Sequence, residues 1–165
     1  MKNIAFFLFI ALYSLNIQSQ NSDITTYYFI RHAEKVTKDK TNNNPELSKK
    51  GNKRAKEWSE IFENIKFDAI YSTNYFRTLQ TAQPTARKNN LEIQFYNPRE
   101  LVSPDFQVKT KGKTILVVGH SNTTPAIVNK ILNNNKYSTI KENVYGNLYI
   151  VTLTKTDKID ILLKI

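Results

Sequence analysis

The chain has 165 residues, 40% of them hydrophobic, with nine tyrosines and nine phenylalanines. That supports one packed domain and speaks against a disordered polypeptide. No cysteine is present, which excludes a disulfide framework and a lipoprotein attachment. The net charge of +10 draws anions such as phosphorylated metabolites, anionic glycans, nucleic acid or lipid headgroups, without choosing among them.

The amino terminus reads as an export signal. Lys2 is followed by an unbroken apolar run over residues 4–13 (IAFFLFIALY) and then by polar residues through Ser19 and Gln20. Ten apolar residues fall short of the ~20 that span a bilayer, so a signal peptide over residues 1–19 is expected rather than a membrane anchor. Its removal takes away one charged residue, Lys2, and leaves residues 20–165 as a single domain with a net charge one unit lower. A periplasmic or secreted location follows, with no stable membrane span after cleavage.

Beyond this segment, strand and helix signals alternate. Residues 25–30 (TTYYFI) are β-branched and aromatic and stop at Arg31-His32. A polar loop over 37–45 precedes a helix over 47–65, where Ala55, Trp58, Ile61, Phe62 and Ile65 recur at helical spacing and Ser48 is the expected N-cap. Residues 67–71 (FDAIY) read as a short buried strand. Residues 74–88 read as a helix that Pro84 should kink or restart. Residues 91–95 alternate as a strand, and 113–118 (KTILVV) form the clearest buried strand, ending at Gly119-His120. Thr124 is the expected cap of a helix opening on Pro125. Strands over 147–153 and 159–163 close the chain around a turn. The alternation predicts a three-layer α/β/α sandwich with a mainly parallel sheet and a C-terminal edge hairpin. In such sheets the reactive cleft lies beyond the carboxyl ends of the strands.

The two histidines, His32 and His120, each follow a strand directly. Metal binding lacks clustered ligands, and neither a metal nor a cofactor is expected. No Gly-x-Ser-x-Gly elbow is present, and the four glycines are isolated at 51, 112, 119 and 146 rather than gathered in a phosphate loop. What remains is imidazole as a nucleophile toward phosphorus, with guanidinium groups neutralising the phosphoryl oxygens.

Ile30-Arg31-His32-Ala33-Glu34-Lys35 resembles the Arg-His-Gly/Ala-Glu signature of the histidine phosphatase (phosphoglycerate mutase-like) superfamily. Residues 47–55 (LSKKGNKRA) are similar to its Leu-Thr-x-x-Gly-x-x-Gln-Ala helix start, 71–82 (YSTNYFRTLQTA) to its Tyr-Ser-Ser-x-x-x-Arg-Thr-x-x-Thr-Ala block, and 118–122 (VGHSN) to its second-histidine motif. The ordered set is specific where Arg-His alone is not. The resemblance implies that His32 is phosphorylated and then hydrolysed, and that Arg31 and Arg77 clamp the phosphoryl oxygens. It implies that His120 faces the same oxygens, with Ser72, Thr73 and Asn122 as further polar contacts. Glu34 would support the pocket, or pair with Lys35 in solvent. For the general acid the resemblance points to Glu100, with Asp105 or water as alternatives, although the family's usual surroundings of that glutamate are absent.

The expected function is a phosphomonoesterase acting on phosphorylated small molecules or envelope glycans at an open site without a cap. The alternative is a phosphate-recognition module of the same fold with little turnover. Nucleic acid is not an expected partner, because no arginine-rich or aromatic-interleaved motif accompanies the charge. Oligomeric state is not readable from the sequence.

Overall fold

A computed structural model describes residues 24–39 and 41–165; the expected signal segment lies outside the described residues. Ten elements follow in chain order: β1 (Thr25–Arg31), α1 (Lys49–Ile61), β2 (Ala69–Ser72), α2 (Phe76–Lys88), β3 (Ile93–Phe95), α3 (Pro104–Thr110), β4 (Thr114–Gly119), α4 (Thr123–Leu132), β5 (Asn147–Leu153) and β6 (Lys158–Lys164). The strands form one sheet in the order β3-β2-β4-β1-β5-β6. The first four of that order run parallel, and β5 and β6 add an antiparallel hairpin at the edge.

Period-two alternation sorts the strand side chains onto two faces. Tyr27, Phe29, Tyr71, Ile115, Val117, Tyr149 and Val151 pack with Ile127, Val128 and Ile131 of α4, and Phe106 of α3 joins them. On the other face Ile30, Ile70, Leu116, Val118 and Leu148 pack with Trp58 of α1, Phe62 just beyond it, and Ala82 and Ala86 of α2. β1 and β4 are buried on both faces, which is why their sequences read as continuous apolar runs.

Local chemistry fixes the helix starts. The Ser48 hydroxyl accepts from the Gly51 N–H at 3.1 Å, as expected of an N-cap. Pro84 does not interrupt α2; Ala82 and Ala86 stay fully buried on either side of it. The cap of α4 is Asn122, not Thr124. Thr124 sits one residue inside the helix with its hydroxyl 3.5 Å from the Ile30 carbonyl. Helix α3 was not anticipated, although Ser103, whose hydroxyl accepts from the Phe106 N–H, and Pro104 after it are an ordinary helix start. Asn133 closes α4 in the left-handed region, φ 59°, so one of the two asparagine runs marks a chain reversal.

Candidate active site

The sheet order brings the two histidines together. β1 and β4 are parallel neighbours with Arg31 opposite Gly119, so the residues that follow leave the sheet side by side. The His32 N–H donates to the Gly119 carbonyl at 2.9 Å, and the two imidazole centroids are 5.5 Å apart. β2 flanks β4 on the other side with Ser72 opposite Val118. Thr73 therefore emerges next to His120, and Arg77 arrives from the first turn of α2. These elements surround a cavity of about 460 Å³ lined by Arg31, His32, Lys35, Thr73, Arg77, His120, Asn122 and Glu142, among others.

His32 is 4% exposed. Its Nδ1 lies 2.7 Å from the Ala33 carbonyl, which can only accept, so Nδ1 carries the proton and Nε2 keeps its lone pair. Burial pushes the pKa of His32 from 6.5 down to about 3, with the Arg31, His120 and Arg77 charges acting in the same direction. The ring is a neutral base of fixed tautomer, the form a nitrogen nucleophile requires.

His120 is ordered through a chain of hydroxyls. Arg77 Nη2 approaches its Nδ1 at 3.5 Å, and its Nε2 lies 2.9 Å from Thr73 Oγ1. Thr73 Oγ1 is 3.0 Å from Thr78 Oγ1, which donates in turn to the Thr73 and Tyr75 carbonyls. Guanidinium has no acceptor, so this chain reads in one direction, from the Nε2–H of His120 outward to backbone oxygen. Burial and the Arg77 and Arg31 charges hold the pKa of His120 at about 4.

Arg31 is 1% exposed. Its Nη1 donates to the carbonyls of Lys141, Glu142 and Val144, each at 3.0 Å, and its Nη2 to Glu142 Oε2 at 2.9 Å. The Tyr145 ring lies 4.3 Å from the guanidinium carbon. Arg31 thus fastens the segment between α4 and β5 to the site. Its Nε–H is buried without an acceptor, as is the Nε–H of Arg77. Burial also lowers the pKa of Arg77. A buried and a half-buried guanidinium, each with an unmet Nε–H, beside two neutral imidazoles make a site for an oxyanion.

The expected residues Arg31, His32, Arg77, His120, Thr73 and Asn122 meet at this cavity. Ser72 does not. It is fully buried, and its hydroxyl donates to the Thr73 carbonyl. Glu100 and Asp105 line a separate groove with Tyr71, Phe95 and Leu101, where Glu100 accepts from the Asn97 side chain at 3.0 Å. Neither of them belongs to the lining of the histidine cavity. Glu34 is half of a bidentate pair with Arg54 Nε and Nη2, with Lys50 as a second cation, so it supports the site rather than pairing with Lys35. The sequence reading missed Glu142, the one carboxylate on the cavity wall. Among the described residues no cluster of His, Asp or Glu could hold a metal ion, and no helix is long and apolar enough to cross a membrane.

Fold and site together define a class: an α/β sandwich with two strand-end histidines and two arginines around one oxyanion pocket. A model of the histidine phosphatase superfamily (branch 1) matches residues 27–97, and over that stretch the chain is similar to this superfamily. The protein histidine phosphatase SixA, solved with tungstate, superposes with a TM-score of 0.68 at 14% identity, over 84% of this chain and 96% of that one. A phosphoglycerate mutase from Bacillus anthracis str. Sterne gives 0.61 at 13% identity, over 88% and 94%. A phosphoserine phosphatase from Entamoeba histolytica, in complex with phosphoserine, gives 0.62 at 16% identity, over 82% and 94%. At these identities the likeness is one of fold. Among curated proteins, none matches this sequence.

Proposed function

We propose that this protein is an exported phosphomonoesterase that works through a phosphohistidine on His32. The carrying observation is the locked tautomer. With Nδ1–H tied to the Ala33 carbonyl, the Nε2 lone pair stands ready at a cavity flanked by Arg31, Arg77 and His120. Nε2 attacks phosphorus in line, Arg31 and Arg77 neutralise the equatorial oxygens, and a water then hydrolyses the phosphohistidine. An entering dianion offsets the repulsion that the two arginines exert on His120. That favours protonation at Nδ1 and turns His120 into a further donor. Export rests on the signal-like residues 1–19, and the substrate class is a phosphorylated small molecule or envelope glycan.

A chain beginning at residue 20 keeps every described strand, helix and core residue. It is expected to hydrolyse para-nitrophenyl phosphate, and His32→Ala to abolish turnover and the acid-labile phosphoenzyme. Equal rates in the two proteins would remove His32 from the mechanism. The alternative, a phosphate-recognition module, draws support from the position of Glu100 away from the cavity. It requires phosphate binding with no phosphoenzyme.

A further inference from the structure

Alkyl phosphate hydrolysis needs a proton for the departing alkoxide, and neither Glu100 nor Asp105 lines the cavity. We propose that Glu142 is the proton donor and, in the second step, the base that activates water. The proposal rests on the phosphatase reading above and adds a residue to it.

Geometry narrows the choice. His32 lies deep, at 4% exposure. In-line displacement places the leaving oxygen opposite Nε2, toward the mouth. Glu142 lines the same cavity with its side chain 77% exposed, so its carboxyl reaches the solvent side. The other protic groups on the wall serve less well. Burial raises the pKa of the Tyr96 phenol above its ordinary value, and an ammonium such as that of Lys35 is a far weaker acid than a carboxylic acid. Glu34, behind the cavity, is held by three donor contacts from Arg54.

The anchoring of Glu142 suits a group that must change partners. Its backbone is fixed without its side chain: Arg31 Nη1 holds the carbonyls on either side, and the Ile140 N–H donates to the Ser121 carbonyl at 2.9 Å. The carboxylate itself rests on Arg31 Nη2 and on the Ser121 hydroxyl, 3.3 Å away. Arg31 Nη2 is a donor that a phosphoryl oxygen would also seek. An arriving dianion competes for it and sets negative charge beside the carboxylate. The displaced carboxyl takes the proton it passes on from solvent at the mouth. As the His32 Nε2–P bond forms and the P–O ester bond breaks, the Glu142 proton passes to the leaving oxygen, giving a neutral alcohol. The carboxylate then takes a proton from the water that attacks phosphohistidine, the Nε2–P bond breaks and phosphate departs, and Glu142 releases that proton to solvent before its carboxylate returns to Arg31.

The test is the leaving-group dependence of Glu142→Gln, which keeps the size and hydrogen bonding of the side chain. For glycerol phosphate, kcat/KM should fall by about 10²–10³, within the usual worth of general acid catalysis. For para-nitrophenyl phosphate, whose phenolate leaves unprotonated, the fall should stay below about tenfold. Glu142→Asp should recover part of the loss on the alkyl ester. An equal fall on both esters would make Glu142 a positioning residue, and an unchanged alkyl rate would remove it from the reaction; either overturns the proposal. Failure of the phosphatase reading looks different: no turnover of either ester, even by the wild type.

Discussion

Gly51 links the stability of the fold to the alignment of His32, the proposed nucleophile. A Cβ added there would lie 2.1 Å from the Glu34 carbonyl oxygen and 2.9 Å from its carbon. Ordinary contact begins at 3.4 Å, so Gly51→Ala must push the start of α1 away from Glu34 by more than an ångström. Both partners are backbone, so no side chain can swing aside. Overpacking of this kind costs about 1–3 kcal/mol. The displacement also endangers the bond from the Ser48 N–H to the Glu34 carbonyl at 2.9 Å, worth about 1 kcal/mol net. A loss of about 2–4 kcal/mol lowers the melting midpoint by about 4–16 °C in a protein of this size. Glu34 is two residues beyond His32, and the Ala33 carbonyl between them holds Nδ1–H, so turnover should fall at temperatures where the variant is still folded. Calorimetry and phosphatase assays on Gly51→Ala, with the neighbouring exposed Lys50→Ala as reference, measure both effects. A midpoint within about 2 °C of the reference would show that α1 can part from Glu34 without cost and would refute the reasoning.

Stability should fall in acid through the two histidines. Their folded pKa values, about 3 and about 4, lie below the ordinary 6.5, so below that value the unfolded chain binds protons that the folded one refuses. The stabilisation is complete above the ordinary pKa and drains away as the pH falls toward the folded values. His32 alone should account for about 2 kcal/mol between pH 6.5 and 5, with a smaller share from the partly exposed His120. Urea titrations at the two pH values check this, and His32→Gln should flatten the slope. Arg31→Met should free the 140–146 segment, because three carbonyls lose their donor and Glu142 its counter-ion. Faster amide hydrogen exchange at residues 141–145, with activity lost, is the expected result.

The parts of the site that were legible in the sequence sit at the ends of β1, β2 and β4. There continuous β-branched and aromatic runs mark strands buried on both faces, and whatever follows such a strand lies on the reactive edge of a parallel sheet. The choice between Ser72 and Thr73 turned on one position. Strand alternation lets only one of two successive side chains face the cavity, and the boundary of β2 had to be known to a residue. Glu100 is what the family resemblance points to. The burial of Leu101 and the Asn97 side chain turn Glu100 to the far groove, and neither effect has a local sequence signal. Glu142 belongs to a stretch without periodicity. It reaches the cavity only because Arg31, at the other end of the chain, gathers the carbonyls around it.

The same guanidinium therefore answers two opposed demands. A phosphate site needs cations with free donors, yet a guanidinium at 1% exposure is costly unless its donors are met. The fold divides the five N–H groups of Arg31 between these needs. Three go to backbone oxygens and the Glu142 carboxylate, which keeps the charge compensated and the cavity wall closed. The Nε–H stays uncommitted. The imidazoles remain neutral beside this charge, so they add no repulsion of their own until an anion arrives. A lysine could not substitute, because an ammonium has three donors about one point and no planar fork to divide. On this view Arg31 is fixed by the fold and the chemistry together, and Glu142 is the counter-ion that can let go when a substrate takes its place.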